Sequence, residues 1–202
     1  EWVKRPAFRG RRWGRGKGAL NGMYPEAVPI IGQEIRAVPS LVFTNKLAVE
    51  LNGDIDQGEL RRLRSLSKEV IGIVRVNNAL NIGLPASLSR FDKVIMVLGP
   101  GVGESWLRYS MSLANTVVGL TLDSLMRLME VRPSLLNMPN ELFIDPVMGG
   151  DTAMMPKALP RTVIDWLMDY VDSGGDLYVL ARGCSIDNVK LLAHSRRIFT
   201  YD

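Results

Sequence analysis

The glycine-rich loop at residues 99–103 is the stretch of this chain whose residue types most directly suggest chemistry. It follows the apolar run at residues 94–98 and precedes a stretch with helical spacing, so the pattern predicts a strand, a tight turn and a helix. Glycine leaves backbone amides unhindered, and the free N–H groups of a helix N-terminus stabilise an anion. Gly99, Gly101 and Gly103 are therefore candidate anion-binding residues.

Two departures from the nucleotide-binding motifs limit this interpretation. The dinucleotide fingerprint requires a glycine where Glu104 stands, and a phosphate-binding P-loop requires a Lys followed by Ser or Thr, which does not occur here. The carboxylate of Glu104 would also repel phosphate. An anion-binding or nucleotide-binding loop and a purely structural turn therefore both remain open.

The single cysteine, Cys184, is a candidate nucleophile because it stands between a predicted strand and a predicted helix, in Ala181-Arg182-Gly183-Cys184-Ser185. A helix N-terminus and the neighbouring Arg182 would favour the reactive thiolate. This arrangement, together with the strand and long helix at residues 93–118, resembles the DsrE-like sulfur-transfer proteins, from whose pattern the segment at residues 121–133 departs. The resemblance implies a sulfur carrier with Cys184 as its catalytic residue, whereas an inert buried thiol is the alternative.

Residues for metal or triad chemistry are scarce in this chain. It holds one cysteine and one histidine, His194, so the usual zinc sites and catalytic triads are not expected. Asp145, Asp151 and Glu104 could bind a divalent cation if their loops converge, but nothing in their spacing requires it, and solvated loop carboxylates and helix caps are the default interpretation. We therefore expect no cofactor and no metal site.

The first 17 residues are basic, with seven Lys or Arg against Glu1, whereas residues 18–202 hold 18 bases and 20 acids. Arginine forms forked contacts with phosphate, and the rings of Phe8 and Trp13 offer stacking surfaces for bases. Residues 1–40 show no period of a strand or helix, so we expect an extended arm and linker that contacts RNA, with a solvated tail as the alternative. The candidate nucleic-acid-binding residues are Arg5, Arg9, Arg11, Arg12, Trp13, Arg15 and Lys17.

A second basic surface is predicted on the helix that begins at Asp56 and Glu59, a spacing typical of a capping box, and runs to about Val70. Leucines line one face of this helix, and the basic residues lie away from them. That basic face could contact phosphate, although a solvated helix surface is the simpler explanation. It consists of Arg61, Arg62, Arg64 and Lys68.

Strand and helix patterns alternate over most of residues 47–202. This alternation predicts an α/β fold with a mainly parallel sheet and helices on both faces, in a three-layer sandwich preceded by an extended basic N-terminal arm. The apolar runs at residues 94–98 and 177–181 are predicted interior strands. One helix is expected over residues 106–118 and another from Thr121. A further helix is expected from Pro160 to Gly174, with an inward apolar face of Val163, Trp166, Leu167, Tyr170 and Val171. The predicted organisation is an arm and linker at residues 1–40 and a single α/β domain at residues 41–202.

Composition sets further limits. A chain of 202 residues that is 47% hydrophobic can bury a sizeable core. Its longest uncharged run, residues 109–122, is too short and too polar to cross a bilayer. One cysteine fits a reducing compartment. Because the sequence starts at Glu1, we expect either that a presequence was removed, as for entry into the mitochondrial matrix, or that the sequence starts within a longer product.

The function expected from the sequence is that of a non-catalytic structural subunit of a ribonucleoprotein, such as an organellar ribosome. The arm would contact RNA and the α/β body would contact protein neighbours. The alternatives are a small α/β enzyme or DsrE-like sulfur carrier that uses Cys184, and an anion-binding or nucleotide-binding module that uses residues 99–103. The lack of a recognisable catalytic set favours the structural subunit over the enzyme.

Overall fold

The computed structural model of this chain describes residues 25–32, 44–76, 86–99, 101–131, 138–146, 159–181 and 193–201. These residues include eight β-strands, four α-helices and a 3-10 turn at Ala86–Arg90. The strands are β1 (Glu26–Gly32), β2 (Thr44–Glu50), β3 (Ser67–Val76), β4 (Lys93–Leu98), β5 (Thr116–Thr121), β6 (Glu141–Asp145), β7 (Asp176–Ala181) and β8 (Arg197–Tyr201). The helices are α1 (Gln57–Leu66), α2 (Glu104–Ser112), α3 (Leu122–Val131) and α4 (Arg161–Asp172).

The eight strands form one closed barrel, in which each strand pairs in parallel with the strands before and after it in the sequence. β1 closes the ring by pairing with both β2 and β8, and its register on β8 runs from Glu26 opposite Arg197 to Ile30 opposite Tyr201. Followed once around the barrel, the registers accumulate a stagger of eight residues. Strand number and stagger are together those of a (β/α)8 barrel.

The closed barrel confirms the α/β class and the parallel pairing, but it replaces the predicted three-layer sandwich. A sandwich leaves two sheet edges, whereas β1 and β8 pair with each other here. β1 lies inside the residues 1–40 that the sequence assigns to the arm and linker. Alternating strands and helices occur in both folds, so the difference depends on one pairing between the two ends of the sheet. The runs at residues 94–98 and 177–181 are confirmed as interior strands, since β4 and β7 have neighbours on both sides.

β5 corrects the expectation of two successive helices. The first of these ends at Ser112, and a turn at Asn115, where φ is 58°, leads directly into β5. Val117 and Val118 are β-branched, which favours a strand, and both are buried in the barrel wall between β4 and β6. α3 then follows β5 without a break, so the alternation of strand and helix continues through this segment.

Alternate residues of the strands fill the barrel interior. The rings of Phe143 and Phe199 meet edge to face there, with centroids 5.2 Å apart. Gly119 provides the room, because a Cβ at this position would lie 2.9 Å from Cγ2 of Val97 and 3.1 Å from the ring of Phe143. The interior is therefore a packed core and not a pore. Its apolar cluster comprises Val28, Ile30, Ala48, Ile71, Ile73, Ile95, Val97, Val117, Phe143, Tyr178, Leu180 and Phe199.

A second apolar cluster lies between the barrel wall and the helices. Asp56 begins α1 as predicted, and its Oδ1 accepts a hydrogen bond from the N–H of Glu59 at 2.9 Å. α1 ends at Leu66, earlier than predicted, because Ser67 already belongs to β3. The face of α4 that the sequence predicts to point inward is buried, and it consists of Val163, Trp166, Leu167, Tyr170 and Val171.

The N-terminal end of the barrel carries seven charged residues, each two positions before a member of the interior cluster. Six of them alternate in sign from one to the next around the barrel. The seventh, Asp176, lies opposite Glu141 and pairs with Arg196, whose Nη1 is 2.7 Å from its Oδ2. Lys46 Nζ lies 2.7 Å from Glu26 Oε1, and Lys93 Nζ lies 3.0 Å from Glu141 Oε1. We call the six alternating residues the N-terminal charge ring, and its members are Glu26, Lys46, Glu69, Lys93, Glu141 and Arg197.

Within the N-terminal charge ring, Glu141 is a residue from which we expect sensitivity of the fold to acid. Burial alone would raise the pKa of Glu141, but hydrogen bonds from Tyr178 and Lys93 and the charges of Lys93 and Arg197 outweigh it and lower the pKa. The hydroxyl of Tyr178 donates at 2.8 Å. A carboxyl group whose pKa is lower in the folded chain stabilises the fold above its unfolded pKa, and this contribution is lost as the pH falls.

We therefore expect the free energy of unfolding to decrease as the pH is lowered from about 5 to about 3, around and below the pKa of an unfolded glutamate. In Glu141→Gln the decrease over the same range should be smaller, because the amide does not titrate. Urea denaturation at each pH measures both. Glu130→Gln, on the exposed surface of α3, is the matched control and should follow the wild type. An equal decrease in Glu141→Gln and the wild type would contradict this role of Glu141.

Candidate functional site

The carboxyl ends of all eight strands meet at one end of the barrel because the strands are parallel. We call this end the C-terminal mouth. In (β/α)8 barrels this is where ligands bind, since the loops that follow the strands surround it. The structure describes residues 51–56 after β2, the direct junction of β5 with α3, and all but Pro100 of the loop after β4.

Three charged side chains form a network at the C-terminal mouth. Glu50 of β2, Arg75 of β3 and Asp145 of β6 each lie two residues beyond a member of the interior apolar cluster, at the next inward position. Nε of Arg75 donates to Oε1 of Glu50 at 2.7 Å, and Nη1 of Arg75 lies 2.6 Å from Oδ2 of Asp145. The guanidinium thus joins two neighbouring strands to a third across the barrel. We call these three residues the mouth network.

Exposure assigns different roles to the two carboxylates of the mouth network. The side chain of Asp145 is 2% exposed, whereas those of Arg75 and Glu50 are 26% and 22% exposed. Burial opposes the charge of Arg75, but Asp145 and Glu50 raise the pKa of its guanidinium above the ordinary value, so it stays charged. Asp145 therefore anchors the guanidinium from the buried side, and Glu50 is the carboxylate that solvent reaches.

The mouth network has the chemistry of an acid–base and hydrogen-bonding site. Hydrogen bonds between charged groups at these distances are strong and directional, so the planar guanidinium holds the two carboxylates in a defined geometry. An ionised carboxylate accepts hydrogen bonds from hydroxyl or amino groups and can accept a proton from them. Glu50 is placed to do this for a molecule that enters the mouth.

The acidic residues predicted from the sequence lie apart from one another where the structure describes them. Asp145 belongs to the mouth network, whereas Glu104 pairs with Arg108 on the exposed surface of α2 at 3.0 Å. Asp151 lies outside the described residues, as does Cys184, so thiol chemistry stays a prediction. In the part of the chain that the structure describes, no group of three or more His, Cys, Asp or Glu side chains could hold a metal ion.

The glycine loop lies between β4 and α2 as predicted. The N–H of Gly99 donates to the carbonyl of Val76 at 2.9 Å, so this amide belongs to the sheet and is not offered to an anion. Gly103 begins α2 as its N-cap, and Gly101 is exposed in the turn. Anion binding by these two glycines stays a prediction. The loop borders a cavity of about 230 Å³ whose wall is mainly leucine and valine, from Leu98, Val102, Leu107, Leu120 and Leu128.

The basic residues predicted to contact RNA fall into two groups. Those of the arm, at residues 5–17, lie outside the described residues, and their contact with RNA stays a prediction. Arg61, Arg62 and Arg64 are exposed on α1, and Lys68 is exposed too, although it lies in β3 and not in the helix. His194 precedes β8 and is half-buried.

Glu50 and Arg75 are functional candidates that the sequence analysis did not predict. A signal for them exists in the sequence, because each is a charged residue that directly follows an apolar stretch near the carboxyl end of its strand. In β3 the alternate positions Ile71 and Ile73 are interior, and Arg75 follows at the same spacing. In a barrel strand, a charged residue that follows inward-facing apolar residues at the same two-residue spacing, near the carboxyl end, therefore indicates a position at the mouth.

Comparison with known proteins identified no relative of this chain. No protein-family model, curated protein or solved structure matches this chain. Among the described residues, no helix is both long and apolar enough to cross a membrane.

Removing the guanidinium of the mouth network should destabilise the fold. Arg75→Met leaves the buried carboxylate of Asp145 without its ion pair, which should cost about 2–3 kcal/mol in the free energy of unfolding. Adding Asp145→Asn should recover about 1 kcal/mol or more, because a neutral amide is less costly to bury than a charge. Chemical denaturation of the two single variants and the double variant measures this coupling.

The matched control for this cycle is Arg108→Met. It breaks an exposed pair with Glu104, in which the arginine side chain is 73% exposed, so it should cost about 0.5 kcal/mol or less. Additive effects of Arg75→Met and Asp145→Asn would show that the two side chains are not coupled and would contradict the mouth network.

Proposed function

We propose that this chain is a (β/α)8-barrel protein that binds a small polar molecule at its C-terminal mouth, with Glu50 as the acid–base group. The observation that carries the proposal is the bridge from Arg75 to Glu50 and Asp145 at the carboxyl ends of three strands. This end is where the fold places ligands. A small α/β enzyme is also an alternative from the sequence, but with Cys184 as its catalytic residue and not Glu50.

Each member of the mouth network has a separate role in this proposal. Glu50 accepts a hydrogen bond from a hydroxyl or amino group of the ligand and takes its proton when a reaction follows. Arg75 fixes the orientation of Glu50 and stays positively charged throughout. Asp145 is a positioning residue, which holds the guanidinium from the buried side. The ligand class is therefore a small molecule with hydroxyl or amino donors, such as a polyol, a sugar or an amino compound.

The opposite end of the barrel supports this choice of site by contrast. The N-terminal charge ring balances three acids against three bases, and these charges lie close to one another, as in the pair of Lys46 with Glu26. In this fold the N-terminal end serves stability, whereas the C-terminal end carries ligand contacts. The two charged layers thus differ in role although both flank the same apolar interior.

A thermal-shift screen of polyols, sugars, amino acids and hydroxy acids tests the proposal. A ligand at a hundred times its dissociation constant stabilises the fold by about 2.7 kcal/mol, which is roughly 5–10 °C in Tm for a chain of this size. Compounds that raise the Tm of the wild type should lose this effect in Glu50→Gln, because the amide no longer accepts a proton or carries charge. NMR spectra of each such compound with the protein would then reveal turnover.

Glu130→Gln provides the matched control for the screen, since it makes the same change on the exposed surface of α3. It should respond to every compound as the wild type does. If no compound stabilises the wild type, or if the compounds stabilise Glu50→Gln to the same extent, the mouth is not a site for small polar ligands and the proposal fails.

We also propose a second function, contact with RNA through the basic arm, as in a structural subunit of a ribonucleoprotein. It is supported by the composition of residues 1–17, where seven bases are interleaved with Phe8 and Trp13. Arginines bind phosphate and rings stack on bases, a combination that a purely solubilising tail does not require. This function and the first use different parts of the chain, so each can hold or fail alone.

Deletion of residues 1–18 tests the second function. If about five bases contact phosphates, the log–log salt slope of binding should be about −3.5 to −4.5, depending on whether the nucleic acid is single-stranded or double-stranded. The deletion should remove most of that slope, and Trp13→Ala should weaken binding by about 1–3 kcal/mol if the ring stacks on a base. Unchanged affinity and unchanged slope after the deletion would refute contact through the arm.

A further inference from the structure

We infer that a cleft at the N-terminal end of the barrel, lined by three arginines, binds the phosphodiester backbone of RNA. The cleft lies between α1 and the 3-10 turn and has a volume of about 590 Å³. It opens beside the amino ends of β4 and β5, where Asp92 and Asn115 stand, so it is at the opposite end from the mouth network. We call it the arginine cleft, and its basic residues are Arg61, Arg64 and Arg90.

The position of the arginines is set by the fold. Arg61 and Arg64 are three residues apart on α1, so they lie on the same side of the helix. Nη2 of Arg64 donates to the carbonyl oxygen of Arg90, which fixes the helix against the 3-10 turn and brings the third arginine to the cleft. All three residues are exposed. The sequence predicts the two arginines of α1 as a basic surface but does not predict that Arg90 joins them.

The arginines of the cleft differ from the ion-paired arginines of this protein. Arg75, Arg108 and Arg196 each have a carboxylate oxygen within 4.0 Å. Among the residues that the structure describes, Arg61, Arg64 and Arg90 have no such acidic partner. Exposed cations that are not neutralised by the protein are available to an external anion.

The one acid that lines the cleft is held by the backbone. Oδ2 of Asp92 accepts a hydrogen bond from the N–H of Val70 at 2.9 Å, which turns this oxygen toward β3. Three cations therefore face one acid whose oxygen is already engaged. Neutral donors from Gln57, Ser89 and Asn115 also line the cleft, together with the buried side chains of Leu60 and Phe91. Arginine forks and neutral donors are the groups that bind phosphate oxygens in nucleic-acid complexes.

The lining favours a nucleic-acid backbone over a lipid surface. A membrane-binding patch usually inserts large apolar or aromatic side chains beside its bases. Among the described residues, the exposed large apolar side chains are Tyr109, Met111 and Met126, which belong to α2 and α3 and do not line the cleft. A concave basic surface without such residues fits a phosphate chain that lies across it.

The inference rests on the proposed contact with RNA, and one experiment separates the two because the arm and the cleft are changed in different variants. The full chain is titrated with a labelled oligouridylate at several salt concentrations. The cleft variant Arg61→Gln/Arg90→Gln keeps Arg64, whose partner is a main-chain carbonyl. The matched control Arg108→Gln/Arg161→Gln removes two exposed arginines elsewhere on the surface. The arm variant changes Arg9, Arg11, Arg12 and Arg15 to Gln.

The cleft variant should bind RNA roughly tenfold more weakly, with a salt slope shallower by about 1.4, which corresponds to two phosphate contacts on a single strand. The control should stay within about twofold of the wild type. Equal effects of the cleft and control variants would overturn the arginine cleft while leaving contact through the arm intact. A wild-type chain that binds no RNA would overturn both. A cleft variant that loses affinity for phosphatidylserine vesicles but not for RNA would assign the cleft to a lipid surface.

Discussion

Parallel pairing of β1 with β8 closes the sheet, and the packing of the described residues depends on that closure. The pairing places Val28 opposite Phe199, and both side chains are completely buried in the barrel interior. An open sheet would leave β1 and β8 as edges with unpaired backbone groups and would expose this part of the apolar cluster to water. The pairing of β1 with β8 begins with a main-chain hydrogen bond, in which the N–H of Glu26 donates to the carbonyl of Arg196 at 2.9 Å.

Closure also determines where the charged residues can lie. A barrel of eight strands has room inside only for packed side chains, so the interior positions in the middle of each strand are apolar. Charges are tolerated at the two ends, where solvent approaches. At one end, alternating signs around the N-terminal charge ring satisfy one another. At the other end, Arg75 is shared by Glu50 and the buried Asp145, and only Glu50 and the guanidinium reach solvent. The same constraint thus yields a stabilising layer and a candidate site.

The sequence predicts those parts of the fold that depend on local pattern. β4 and β7 are apolar on both faces, and α4 combines helical spacing with an apolar stripe, so all three are correctly placed. β5 is missed because its short β-branched stretch lies between two stretches with helical spacing. The apolar residues of all three together follow the period of a helix, which hides the strand. β1 is missed because it follows a stretch of sequence rich in glycine and arginine, and only pairing with distant strands stabilises it. The sandwich prediction is wrong for the same reason, since closure is a contact between the two ends of the sheet.

The candidate site is harder to predict than the fold. Glu50 and Arg75 are 25 residues apart in the sequence, and Asp145 lies on the far side of the barrel. Spacing along the chain gives no information about position around a barrel, so the three could be brought together only by strand order and register. Asp145 is recognisable as a loop carboxylate, but its role as an anchor depends on the other two. The arginine cleft shows the same limit, because Arg90 reaches α1 through tertiary packing.

The most direct test of this account is an NMR measurement of contacts between β1 and β8 in the full chain. With the barrel closed, the registers predict cross-strand NOEs between the backbones of Val28 and Phe199, and between those of Ile30 and Tyr201. The amide protons of β1 should also exchange slowly, since strands on both sides cover them. Rapid exchange along β1, without any NOE to β8, would show an open sheet and would contradict the closed barrel together with the mouth that it creates.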